Sequence, residues 1–203
     1  MRIVVISPES RDPREAAAME GLFAAGLEHY HVRKPSWTGG EIEAWLRGLP
    51  PAWRRRLILH AHPEIAAGLG LAGHHDRDRT DSPARAGFSR SCHDLASLRR
   101  HLPAYRAILF GPVFPSISKP GYGPAPGFPW RELRALLERR RHESGARVIA
   151  IGGVSAARLA RCRDLGFDGA AVMGAVWNEP DPVGAYLGIR DAAARLEDAR
   201  HAA

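Results

Sequence analysis

Short apolar runs alternate along the chain with longer stretches whose apolar positions recur at helical spacing. The runs predict eight strands: RIVVIS (2–7), LEHYHVRK (27–34), RLILHA (56–61), LAGHH (71–75), AGFSRS (86–91), YRAILFG (105–111), RVIAIGG (147–153) and GAAVMG (169–174). The amphipathic stretches between most of them predict helices over 13–25, 38–48, 93–101, 129–143, 155–165 and 181–199. A short helix is expected at 63–69 and a loop over 76–85. Asp12-Pro13 offers a cap followed by a proline at the first helical position, and Pro129 and Ser155 offer similar starts further on.

Strands separated by helices argue for a parallel sheet covered by helices, because parallel neighbours need long crossovers. Eight of them suggest closure as a (β/α)8 TIM barrel, one α/β domain over residues 1–203. At about 200 residues the chain lies at the small end for that fold. An open doubly wound sheet would show a glycine-rich turn after the first strand, and VVISPESRDP has none. No linker or low-complexity tract divides the chain.

Composition narrows the class further. A hydrophobic share of 45% with 25% charged residues is ordinary for a globular protein. No apolar run approaches the roughly 20 residues of a membrane helix, so no membrane partner is expected. The opening MRIVVISPES is too soon broken for a signal peptide, which favours the cytoplasm. Cys92 and Cys162 have neither metal-type spacing nor a disulfide framework and read as buried free thiols. The net charge of +7 invites a nucleic-acid reading. The arginines, however, sit with glutamates in helical segments such as LLERRRHESGAR, the pattern of solvated faces, and no nucleic-acid-binding motif accompanies them. Anionic small molecules such as phosphates fit that charge better.

In a barrel of this kind the chemistry lies at the C-terminal ends of the strands. Strand 2 ends in His31, Arg33 and Lys34; strand 3 in His60, Ala61 and His62; strand 4 in His74, His75 and Asp76; strand 5 in Ser89, Arg90 and Ser91. Strand 6 runs into GPVFPSISKPGYGP, with Ser116, Ser118 and Lys119. Strands 7 and 8 end in Gly152-Gly153 and Gly174, where glycines let backbone N–H groups approach a phosphate. Lys34 and Lys119 are the only lysines among 29 basic residues. Lysine is a compact point charge where arginine is a planar fork, so its retention suggests positions that need an ammonium. His60 and His62, two apart, could share a strand face, with His75-Asp76 alongside. They could hold a nitrogen-ligated metal, serve in acid–base chemistry, or simply be hydrogen-bonded at a strand end.

HVRKP, GPVFPSISK, VIAIGGVS and DGAAVMGAVW, in this order, resemble the family of thiamine phosphate synthase and thiazole tautomerase. The resemblance implies a transferase that joins an aminomethylpyrimidine diphosphate to a thiazole phosphate and releases diphosphate. It implies Arg33 and Lys119 on the diphosphate, Lys34 one residue earlier than the lysine of the usual Arg-x-Lys, and Ser91 on the diphosphate side. Ser116 and Ser118 match the paired hydroxyls, and Gly153 and Gly174 the thiazole-phosphate loops. The family's magnesium-binding Asn-Asp after strand 3 is His60-Ala61 here, leaving Asp76 and Asp78 as candidate Mg2+ carboxylates and His60 as a candidate catalytic group. The tautomerase places a histidine in the turn after strand 6, where this chain has Pro112. Tautomerase and a non-catalytic regulator that binds a thiamine precursor remain as alternatives. Whether the chain is a homo-oligomer is left open.

Overall fold

A computed structural model describes residues 1–77, 88–117, 121–140 and 145–201. Eight parallel strands close into a barrel in chain order: β1 (Arg2–Ile6), β2 (Tyr30–Val32), β3 (Leu57–His60), β4 (Gly73–Asp76), β5 (Ser89–Cys92), β6 (Ala107–Phe110), β7 (Arg147–Ala150) and β8 (Gly169–Val172). β8 pairs with β1 along Arg2↔Gly169 to Val5↔Val172 and so removes both sheet edges.

The outer layer carries α1 (Glu15–Ala24), α2 (Gly39–Arg47), α3 (Pro63–Gly68), α4 (Leu95–His101), α5 (Trp130–Arg140), α6 (Leu159–Asp164), α7 (Gly174–Trp177) and α8 (Pro182–His201). No helix among the described residues is long and apolar enough to cross a membrane. Side chains alternate across the strands, so each strand feeds two cores. Val5, Tyr30, Val32, Leu57, Leu59, Ile108, Phe110, Val148 and Val172 join the large cluster under the helices. Val4, Ile6, Leu109, Ile149 and Ala171 form a separate small cluster inside the barrel. Cys92 and Cys162 form no disulfide with each other and are buried in the helix-side cluster.

Element boundaries shift for local reasons. The expected strand over 27–34 pairs only at Tyr30–Val32. The first helix begins at Glu15, later than Pro13, because the Asp12 carboxylate accepts the Arg14 backbone N–H at 2.9 Å and holds a turn first. Pro51–Arg56 forms a 3-10 turn, and the expected helix over 155–165 splits into a 3-10 turn, Ala156–Arg158, and α6. Ser155 occupies the cap position without a side-chain cap bond. Most of the loop expected over 76–85 lies outside the described residues.

α2 starts with a full capping box: the Thr38 hydroxyl accepts from Glu41 N–H, and the Glu41 carboxylate accepts from Thr38 N–H. This end orients Ile42 and Leu46 into the core. Thr38→Ala is expected to cost about 1 kcal/mol, read as a lower urea midpoint with an unchanged slope.

Candidate functional site

The strand alternation that sends Tyr30 and Val32 under the helices turns His31 inward. His60 and His75 face the same interior from paired positions on β3 and β4. His31 Nδ1 lies 3.0 Å from His60 Nε2, and the His60 and His75 rings stack with centroids 4.0 Å apart. His75 is bracketed by hydroxyls, Nδ1 2.7 Å from Ser89 Oγ and Nε2 2.8 Å from Ser91 Oγ. Burial holds all three imidazoles below their ordinary range, His31 down to about 3. Neighbouring imidazoles and the Arg33 guanidinium depress His60 and His75 further.

Arg33 is half-exposed and paired with Glu9. Its backbone is pinned by Ser7, whose Oγ accepts the Arg33 N–H at 2.8 Å and donates to the Arg33 carbonyl at 3.0 Å. Lys34, expected to bind substrate, points the other way, under the helices, with its ammonium wholly buried. Nζ donates to Glu15 Oε2 at 2.5 Å, Pro8 O at 2.7 Å and Ser10 O at 3.2 Å. It is a scaffold residue that holds the loop after β1, and through that loop Glu9 beside Arg33.

Asp76, a candidate magnesium ligand, also lies on the helix side. It accepts from Tyr105 Oη at 2.8 Å, with His74 Nε2 at 3.4 Å and Arg90 Nη1 donating to the same phenol at 3.2 Å. It is the next residue after His75, and that single step reverses its face. His62 does not accompany His60 either. The strand ends at His60, Ala61 and His62 take φ of 69° and 54°, and His62 turns to Glu64, 3.1 Å away. Asp78, Ser118 and Lys119 lie outside the described residues.

The loops after β6, β7 and β8 converge. Gly153 has φ +63° and sits so close to the β6 loop that an added Cβ would lie 2.1 Å from the Pro115 carbonyl oxygen. Arg158 Nη1 ties the two loops, donating to Gly153 O at 2.5 Å and Pro115 O at 3.2 Å. At Gly174 an added Cβ would lie 3.5 Å from Ile117. Ser116, between Pro115 and Ile117, is thus set beside both glycine turns, and its N–H donates to the Tyr122 carbonyl at 2.7 Å. The β6 loop thus meets the two glycine turns that sequence reading had grouped for phosphate.

The sequence model of the family described as "Thiamine monophosphate synthase" matches residues 3–176, from the first strand into the helix after the last. The chain belongs to this family. The thiamine-phosphate synthase of Halorhodospira halophila is 36% identical over 191 residues, 89% of this chain and 88% of that one. The crystal structure of the thiamine phosphate pyrophosphorylase of Bacteroides thetaiotaomicron superposes with a TM-score of 0.76 at 25% identity, covering 95% and 98% of the two chains. That of Pyrococcus furiosus, at 19% identity and a TM-score of 0.74, shares the fold.

Magnesium takes oxygen ligands in near-octahedral geometry. Among the described residues, Ala61 has no donor, Asp76 faces the helices, and Glu9 is engaged with Arg33. The donors aimed into the barrel are imidazoles. The described residues therefore do not fit a family-type magnesium site. His31 stands in the barrel interior, as the alternation of YHVRK leads one to expect.

Proposed function

We propose that this protein is a thiamine-phosphate synthase, joining the pyrimidine diphosphate to the thiazole phosphate. The observation that carries this reading is the family match across residues 3–176, which spans all eight strand ends. In the reaction the bond from the pyrimidine methylene carbon to the diphosphate oxygen breaks, and the thiazole nitrogen supplies the pair that forms the new C–N bond. Little covalent help is needed; placement and charge stabilisation dominate such a step. Arg33 is assigned to the diphosphate as a fork for phosphate oxygens, and Lys119 to the same group by family resemblance. Ser91 and Ser118 are assigned to the diphosphate side, and Ser116, Gly153 and Gly174 to the thiazole phosphate. The convergence of the last three supports that grouping.

The tautomerase alternative is disfavoured by Pro112, which carries no group able to move a proton. The test is turnover with the pyrimidine diphosphate and either thiazole phosphate form, with and without magnesium, reading thiamine phosphate. Product formation is expected, with kcat/KM lowered about 100-fold in Arg33→Ala. Binding of thiazole phosphate with no product would reject the synthase reading and favour a regulator.

A further inference from the structure

A barrel interior at this level is usually filled with branched apolar side chains. Here Val4, Ile6, Leu109, Ile149 and Ala171 do so on the side of β1, β6, β7 and β8. The other side carries His31, His60 and His75, whose candidate ligand atoms lie within 4.8 Å of one another. A tetrahedral centre with metal–nitrogen bonds of about 2.0–2.1 Å holds its ligand nitrogens about 3.3–3.4 Å apart. That spacing falls between the 3.0 Å of the His31–His60 pair and the 4.8 Å bound on the whole set.

The surroundings also suit a metal. Ser89 Oγ sits 2.7 Å from His75 Nδ1 and can accept its proton, leaving Nε2 to turn from Ser91 toward the other two nitrogens. A hydrogen-bond partner on the second ring nitrogen is the usual device for orienting a ligating histidine. His60 is the last residue of its strand and half-buried, so a fourth position opens toward the mouth beside Arg33.

We propose that His31, His60 and His75 form a binding site for one divalent transition-metal ion of the zinc class, with its open coordination position facing the phosphate-binding mouth. Imidazole favours zinc, cobalt or nickel over magnesium, so the site takes a different metal from the oxygen-rich centre that the family pattern implies.

The test uses the full chain, stripped with chelator and titrated with Zn2+ or Co2+ alone, so it stands apart from turnover. Expected are one equivalent bound, visible cobalt d–d bands of a four-coordinate centre, and at least about ten-fold weaker binding in His60→Ala, with Ser89→Ala weakened by a similar factor. His62→Ala, outside the cluster, should bind as the parent does, with circular dichroism confirming folded variants. X-ray absorption of the zinc-loaded parent decides the matter even where a variant fails to fold. Three imidazole nitrogens at about 2.0–2.1 Å support the site. Absence of one-to-one binding, fewer than three imidazoles in the shell, or equal losses in His60→Ala and His62→Ala would overturn it.

Discussion

Glu15→Gln is expected to destabilise the fold by about 3–5 kcal/mol. The Glu15 carboxylate is bonded directly to the wholly buried Lys34 ammonium, with the Asp12 carboxylate acting on it from further off, and Tyr30 Oη donates to the other Glu15 oxygen at 2.9 Å. Burial pushes the Glu15 carboxyl up and the Lys34 ammonium down, and their mutual contact offsets part of both shifts. Such a pair adds little net stability, but losing one member strands the other charge out of water. The double variant Glu15→Gln, Lys34→Met should therefore regain much of the loss, with a coupling of at least about 2 kcal/mol in urea unfolding. A loss below about 1 kcal/mol in Glu15→Gln would mean that water reaches the ammonium. The effect also reaches function. The Pro8 and Ser10 carbonyls held by Lys34 flank Glu9, the partner of Arg33, so a loosened pair should release the Arg33 guanidinium as well.

The scarcity of lysine marked Lys34 as unusual, yet the reason for its retention is structural. A compact ammonium fits among two carbonyls and a carboxylate where a planar guanidinium would not. Strand parity already held that answer. Arg33 and Lys34 are adjacent, so extended backbone continued past Val32 sends their side chains to opposite faces. The same rule separates His75 from Asp76, and apolar alternation made the barrel itself legible from one sequence. The inward grouping of His31 with His60 and His75 was less legible, because it depends on registers between three strands. The pairing of His60 with His62 failed at Ala61, whose positive φ ends the strand one residue early; nothing in the side chain of alanine announces that conformation. The meeting of the β6 loop with both glycine turns is likewise a tertiary fact, carried by backbone contacts that leave no pattern in residue type.

That meeting separates two glycines that look alike in sequence. Gly153→Ala is expected to lose about 1–3 kcal/mol of stability from backbone strain alone, since φ +63° suits glycine and disfavours a side chain. The larger consequence is steric. The new Cβ would meet a backbone oxygen, that of Pro115, at 2.1 Å, and no rotamer change relieves such a contact. The turn and the β6 loop must part, Arg158 loses its bridge between them, and Ser116 leaves its place. KM for the thiazole phosphate should rise at least about ten-fold, equivalent to about 1.4 kcal/mol of binding. Gly174→Ala meets only Asn178 Nδ2 at 3.4 Å and Ile117 at 3.5 Å, ordinary contact distances, and should fold within about 0.5 kcal/mol of the parent. Any rise in KM there would then report a methyl group crowding the bound phosphate itself, with the scaffold intact. Unchanged KM in a folded Gly153→Ala would remove the turn after β7 from the substrate site, because its geometry leaves the altered loop no undisturbed arrangement to adopt.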